Sequence, residues 1–274
     1  MTWDTKITVV AEFDASTPSI ARIYDYLLGG KDNFAADREA AERLLAIAPL
    51  TAEVSRENRQ FLARAVTWAA NQGISQFIDV GCGMPTAPST HQTARAIIPD
   101  ARVAYIDNDA VVLTHLNALA AKGDPGVTVV DADLRDAAKI LDAVAAGVNL
   151  DEPACLLMGY LLHFFPADAA RDLVTSYVAA LAPGSYVVLS AGRADSDEGF
   201  GAYSSAAVPV YNHSVAEFAS FFGPLELVPP GVVDSREWRP DWERPVHLAP
   251  REGQVITGVA RVGEATATVG HLPG

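Results

Sequence analysis

The chain has 274 residues, half of them hydrophobic, and a formal net charge of -14. That length accommodates one large α/β domain with an appendage or two small domains, and the apolar half can build a sizeable core. An acidic surface repels phosphate backbones, which excludes nucleic acid as a default partner, and no apolar run reaches the ~18 residues of a membrane-spanning helix.

The N-terminus carries no basic segment followed by an apolar stretch, so no signal peptide is expected and a cytoplasmic location is. The two cysteines, Cys82 and Cys155, read as reduced thiols in that setting. The six histidines show no metal-ligand spacing, so no metal site is expected.

Residues 1–17 are polar and irregular and read as a loosely held arm. A helical cap is expected over 18–73. Ile20, Ile23, Tyr24, Leu27 and Leu28 recur at helical spacing, and Gly29-Gly30 stops the helix. The next segment, Lys31-Asp32-Asn33-Phe34, reads either as a helix connection or as a ligand loop with glycine hinges. A second helix runs from Asp37 to Ile47. A third runs from Thr51 to Asn71, with Val54, Asn58, Phe61, Leu62, Ala65, Val66 and Ala69 on one face.

Residues 74–262 then alternate strand and helix. Strands are expected near Phe77–Val80, Arg102–Asp107, Val127–Asp131, Ala154–Met158 and Ser185–Ser190. Helices are expected over Thr90–Ile98, Ala110–Ala121, Ala137–Ala146 and Ala167–Leu181. Such βαβ units imply a parallel sheet with right-handed crossovers. Gly192–Tyr203 reads as a loop, Val215–Phe222 as a helix and Leu225–Val228 as a short strand. Pro229–Pro250 is polar and rich in Pro and Trp, Val255–Arg261 is a closing strand, and residues 263–274 form a tail.

The chemistry concentrates in Phe77-Ile78-Asp79-Val80-Gly81-Cys82-Gly83, a buried strand that ends in a carboxylate and a glycine turn. Gly81 and Gly83 let a ligand approach the backbone closely. Asp79, at a strand end, needs a partner, and a cationic ligand group would supply one. Asp107 ends the second strand, one helix and one strand later, and Asp133 follows the third. Ligands of doubly wound sheets bind beyond these strand ends. An acid after the second strand can hold a ribose, and one after the third an exocyclic amine. Asp109 and Asp136 read more simply as helix caps. A dinucleotide fits less well: Asp79 would repel a pyrophosphate, and Thr86 stands where a third glycine is needed. A ligand with an amine and a nucleoside fits better, and S-adenosylmethionine has those parts.

The glycine turn, Asp107 and the strand pattern resemble a class I S-adenosylmethionine-dependent methyltransferase. The segment Pro18–Phe34 (PSIARIYDYLLGGKDNF) is more specific still. Together with Gly83–Thr86, Tyr105–Asp109, Ala132–Asp136 and Leu181–Tyr186 it resembles the actinobacterial S-adenosyl methyltransferase family once described as a domain of unknown function. The resemblance implies an α/β fold, a Rossmann-like seven-stranded sheet, mostly parallel, with an antiparallel last strand. It also implies roles for individual residues: Asp79, Gly81 and Gly83 at the methionine end, Asp107 and Asn108 at the ribose, Asp133 and Leu134 at the adenine. Pro85 departs from the general class I pattern.

Beyond the resemblance, Arg22 and Tyr26 lie four apart on the first helix. With Tyr24, Lys31 and Asp32 they form a second cluster, and this helix with the Gly29-Gly30 loop is expected to cover the cofactor, Arg22 meeting the methionine carboxylate. His163, just past the fourth strand, is a candidate base or a packing group beside the cofactor. Tyr203 and Tyr211 are candidate lining of an acceptor pocket. The expected activity is methyl transfer to a small-molecule acceptor. The alternatives are a binding module without transfer and a nicotinamide-dependent oxidoreductase.

Overall fold

In the computed structural model, residues 14–120, 124–194, 209–239 and 254–263 are described. The N-terminal arm up to residue 13, Tyr203 and the tail beyond 263 lie outside them. Three helices come first: α1 (Ile20–Leu27), α2 (Ala35–Ile47) and α3 (Thr51–Asn71). Strands and helices then alternate: β1 (Gln76–Val80), α4 (Thr90–Arg95), β2 (Arg102–Asp107), α5 (Ala110–Ala120), β3 (Val127–Asp131), α6 (Ala137–Val144), β4 (Cys155–Met158), α7 (Ala167–Val178) and β5 (Tyr186–Arg193). The chain finishes with α8 (Val215–Ser220), β6 (Glu226–Leu227), β7 (Val233–Asp234) and β8 (Gln254–Arg261).

The strands form one sheet in the order β3-β2-β1-β4-β5-β8-β6, with the two-residue β7 also paired to β8. β1 to β5 are parallel, and β8 runs antiparallel beside β5. The architecture is therefore the expected Rossmann-like one, with the minor β7 added. β5 also runs on through Gly192 to Arg193, where the sequence reads as loop, because β8 supplies a full-length partner out to Gln254.

Period-two alternation sends the strand residues into two layers. Ile78, Val80 and Ile106 pack with Ile140 of α6, Val174 and Tyr177 of α7 and Phe218 of α8. Phe77, Val103 and Tyr105 face the other way, against Phe61 and Ala65 of α3 and Leu116 of α5. Trp238 joins this second layer, fully buried and edge-on to Phe61 and Trp68, although the sequence around it is polar. The cap has its own small cluster, Ile23, Leu27, Ala40, Ala41 and Leu44. Among the described residues no helix is long and apolar enough to cross a membrane.

The order places β1 between β2 and β4, so chain direction switches sides at β1. A crevice opens there, above the strand ends, and α1 lies across it.

Candidate functional site

A cavity of ≈ 270 Å³ occupies this crevice. Asp79, Gly81, Cys82, Gly83, Asp107 and Asn108 form one wall, from the ends of β1 and β2. Ile20, Ile23, Tyr24 and Leu27 of α1 form the roof, with Leu44 of α2. Leu134, Tyr160, Leu161, Phe164 and Phe165 close the side beyond β3 and β4, and α3 contributes Asn58, Arg59 and Leu62.

The glycine turn is built for close approach. Gly81 and Gly83 have φ of +62° and +64°, in the left-handed region that side chains disfavour. A Cβ on Gly81 would lie 2.6 Å from Leu161, whereas one on Gly83 would meet nothing within 4 Å. The turn is held from below by Asp107. Its Oδ2 accepts from the Gly83 amide at 2.9 Å, and its Oδ1 accepts from the amides of Asn108 and Asp109, each at 2.9 Å. Burial raises the Asp107 pKa, and these amides oppose that shift. Asp107 ties the ends of β1 and β2 together in this way because the parallel register sets Val80 beside Ile106 and so brings the turn to Asp107.

Asp79 is also buried, at 8 % exposure, and its Oδ2 accepts from Thr90 Oγ1 at 2.6 Å. Burial pushes its pKa up to about 6, with the Thr90 hydroxyl and the charge of Arg59 pulling it down and that of Asp107 raising it. A buried carboxylate held this high is stabilised by an arriving cation. Cys82 sits between the glycines, but burial and the charges of Asp107 and Asp79 push its thiol well up, so no reactive thiolate forms at neutral pH.

A hydrogen-bonded chain supports the far side. Tyr160 has φ of 60°, a conformation that costs a non-glycine residue free energy, and its amide donates to the carbonyl and the Oγ of Ser190. Ser190 Oγ donates to Asn58 Oδ1 at 2.7 Å, Asn58 Nδ2 to Tyr24 Oη at 3.0 Å, and Tyr24 Oη to the Ser55 carbonyl at 2.9 Å. The Tyr24 and Tyr160 rings pack 5.5 Å apart. Burial pushes the Tyr24 hydroxyl up to about 12, so it holds its proton and acts in positioning.

Several expected positions fall elsewhere. Arg22 is 4 % exposed and does not line the cavity. Its Nε donates to Asp37 Oδ2 at 2.8 Å, and its two terminal nitrogens donate to Asp109 Oδ2 and to the Thr17 carbonyl. It clamps the cap to the loop after β2, and Arg59 is the cation that lines the cavity in its stead. Tyr26 shares the outward face with Arg22, and its hydroxyl meets Glu42 of α2. Gly29 and Gly30 also stand outside the cavity. They make a turn around the Asp25 carboxylate, which accepts from the amide of Asp32 and the side chain of Asn33. A Cβ on Gly30 would lie 2.0 Å from that carboxylate, so the glycine pair answers to Asp25.

Leu134 lines the cavity, but Asp133 does not. Arg135 grips both Asp133 oxygens, Nε to Oδ1 at 2.9 Å, and lowers that carboxyl to about 2. His163 is 1 % exposed and lies behind Tyr160 and Phe164, whose rings it contacts at 4.7 and 4.1 Å. Its Nδ1 accepts from the Gly192 amide at 3.1 Å, and burial, helped by His213, pushes its pKa down to about 3. A neutral ring with that lone pair engaged packs the wall and makes a poor base. Tyr211 stands 39 % exposed, outside the cavity lining, with its amide on the His163 carbonyl. Asp109 and Asp136 do cap helices, Asp109 accepting from the amides of Val111 and Val112 and Asp136 from that of Lys139. Among the described residues no cluster of three or more His, Cys, Asp or Glu could hold a metal ion.

Asn58, Arg59 and Tyr160 thus line the cavity without having been reached by motif reading, whereas Tyr24 lies on the helix expected to cover the cofactor. The available signal for Asn58 was an amide in the middle of the apolar stripe of α3.

The cavity fits S-adenosylmethionine on its own terms. Open space lies before Gly83, a buried carboxylate awaits a cation, a second sits at the end of β2, and an apolar side wall stands beyond. Comparison with known proteins agrees. A family profile described as S-adenosyl methyltransferase matches residues 6–263. The crystal structure of a proposed methyltransferase from Thermobifida fusca YX is 40% identical, with a TM-score of 0.84, and the match covers 91% of this chain and 97% of that one. A DUF574 family protein from Streptomyces avermitilis MA-4680 is 34% identical, with a TM-score of 0.84, over 90% of this chain and 98% of that one. Among curated proteins none matches. The chain belongs to the S-adenosyl methyltransferase family, and it is an S-adenosylmethionine-dependent methyltransferase of Rossmann-like fold.

Proposed function

We propose that this enzyme methylates a small molecule, and that it does so by positioning its two ligands without a side-chain base. The observation that carries the reading is the roof. α1 brings Ile20, Ile23, Tyr24 and Leu27 to the same cavity as the glycine turn, so that a helix partly covers the strand ends and narrows the space of ≈ 270 Å³ toward one that suits a small acceptor.

In this reading Asp79 pairs the methionine ammonium, and Arg59 its carboxylate. The backbone at Gly81 and Gly83 lies along the same end. Asp107 and Asn108 hold the ribose hydroxyls, and Leu134 with Leu161 flanks the adenine. The cofactor, when bound, supplies an electrophilic methyl group on a sulfonium. The chain contributes alignment, which is the larger part of such a displacement. The Tyr160–Ser190–Asn58–Tyr24 chain fixes the wall and the roof together, and His163 stiffens the wall from behind.

The test is a labelling experiment. The enzyme is incubated with methyl-labelled S-adenosylmethionine and, separately, with the small-molecule, protein and nucleic-acid fractions of a cell extract. Label is expected in the small-molecule fraction. Label in protein or nucleic acid alone would contradict the reading.

A further inference from the structure

A second space adjoins the first. A cleft of ≈ 930 Å³ runs along α3 and shares Arg59 with the cofactor cavity. Helical spacing brings Arg56, Arg59, Gln60 and Thr67 to one side of α3, and the segment after β7 adds Arg239. Among the described residues that line it, none carries a carboxylate.

These arginines differ in what already holds them. Arg64, at the base of the cleft, is committed to the carbonyls of Trp238 and Ser235. Arg239 is fixed over the rings of Trp68 and Trp238, 5.1 and 5.5 Å from their centroids. Arg56 and Arg59 have no carboxylate partner among the described residues, and Arg59 makes only a long 3.4 Å bond to the Thr86 carbonyl. Yet the protein carries 34 acidic residues against 20 basic ones. Two guanidinium groups with no ion pair among the described residues, and a third stacked on tryptophan, face one cleft of an acidic chain and concentrate positive potential there, although Arg59 also acts on Asp79 from the cavity side.

We propose that this cleft is a binding site for a small oxyanion-bearing molecule, its phosphate or carboxylate group held by Arg56, Arg59 and Arg239 with Gln60 and Thr67 as neutral donors. Arg59 has five N–H donors in a planar fork, enough to meet an anion on each edge. It thereby joins the cleft to the methionine end of the cofactor cavity and makes the methyl acceptor the fitting occupant. That last link rests on the reading of the cavity; the anion site stands on the cleft alone.

The experiment is a calorimetric titration at low ionic strength with pyrophosphate in one arm and citrate in the other, beside a separate titration with S-adenosylmethionine. Binding of at least one oxyanion is expected, weakened tenfold or more by Arg56→Gln. Arg102→Gln removes an equal charge from the exposed start of β2 and is expected to change the affinity less than twofold. Pyrophosphate alone would identify a phosphate site, citrate alone a carboxylate site, and either supports the inference. Failure of both oxyanions to bind, or equal weakening by the two substitutions, would overturn it. Failure of S-adenosylmethionine to bind would instead strike the cofactor reading.

Discussion

The floor and the roof of the cofactor cavity are made of different kinds of structure. The floor is strand ends, where the parallel register leaves little freedom: once β1 and β2 pair, Asp79, the glycine turn and Asp107 must share one rim. The roof, apart from Leu44 of α2, is one eight-residue helix, α1, which could in principle turn any face downward. Burial decides its phase. Ile23 and Leu27 must leave water, so Ile20, Tyr24 and Leu27 face the cavity while Arg22 and Tyr26 face the cap and the loop after β2. A polar pair four residues apart fixes a face but does not say which way the face points.

This contrast can be broken first at its clamp. Arg22→Ala leaves the buried Asp37 carboxylate, and Asp109 beside it, without their cation. It should cost about 3–5 kcal/mol. Differential scanning calorimetry reads this as a large fall in Tm, although Arg22 does not line the cavity. A loss of cofactor affinity at unchanged Tm would return Arg22 to the site.

On the floor, Asp107→Ala strips three backbone amides of their acceptor. Cofactor affinity should fall by roughly 30- to 1,000-fold, about 2–4 kcal/mol for the lost ligand bonds and the disordered turn. Gly81→Ala should follow at about 1–3 kcal/mol, from strain at φ +62° and the contact with Leu161. Equal affinity in Gly81→Ala would show that the turn is looser than the structure has it.

The pH dependence sharpens the role of Asp79. Its pKa near 6 in the free protein lies above the ordinary carboxylate value, and a bound ammonium favours the ionised form. Binding therefore requires loss of a proton below that pH. Affinity should be flat above about pH 7 and fall toward tenfold per pH unit as pH drops below 6. Asp79→Asn should abolish the slope, and a slope that persists would assign it to another group. The smallest effect belongs to Tyr26→Phe, which removes a hydroxyl at the outer face of the cap. Stability should move by no more than about 0.5 kcal/mol and cofactor affinity not at all.

The sheet was legible because buried strands read as apolar runs and their acids fall in register. The antiparallel last strand and the residue roles came from the family resemblance, which the comparisons with known proteins establish as membership. What escaped the sequence has a common cause. Trp238 is core although proline, arginine and aspartate surround it, because it plugs the gap between α3 and β8. Asn58 and Arg59 precede β1 by a helix length and carry no motif; only the packing of α3 under the roof brings them to the cavity. Asp133 looks like its neighbours in sequence, and the intrusion of Arg135 two residues on is a matter of side-chain reach.

The central claim is that the carboxylate at the end of β2 and the glycine turn together hold S-adenosylmethionine. Calorimetric titration of the protein and of Asp107→Ala with S-adenosylmethionine and S-adenosylhomocysteine tests it most directly. Tight binding of both by the protein and a loss of at least 30-fold in Asp107→Ala is the predicted result. Equal affinity in the two proteins, or binding of neither compound to the first, would contradict it.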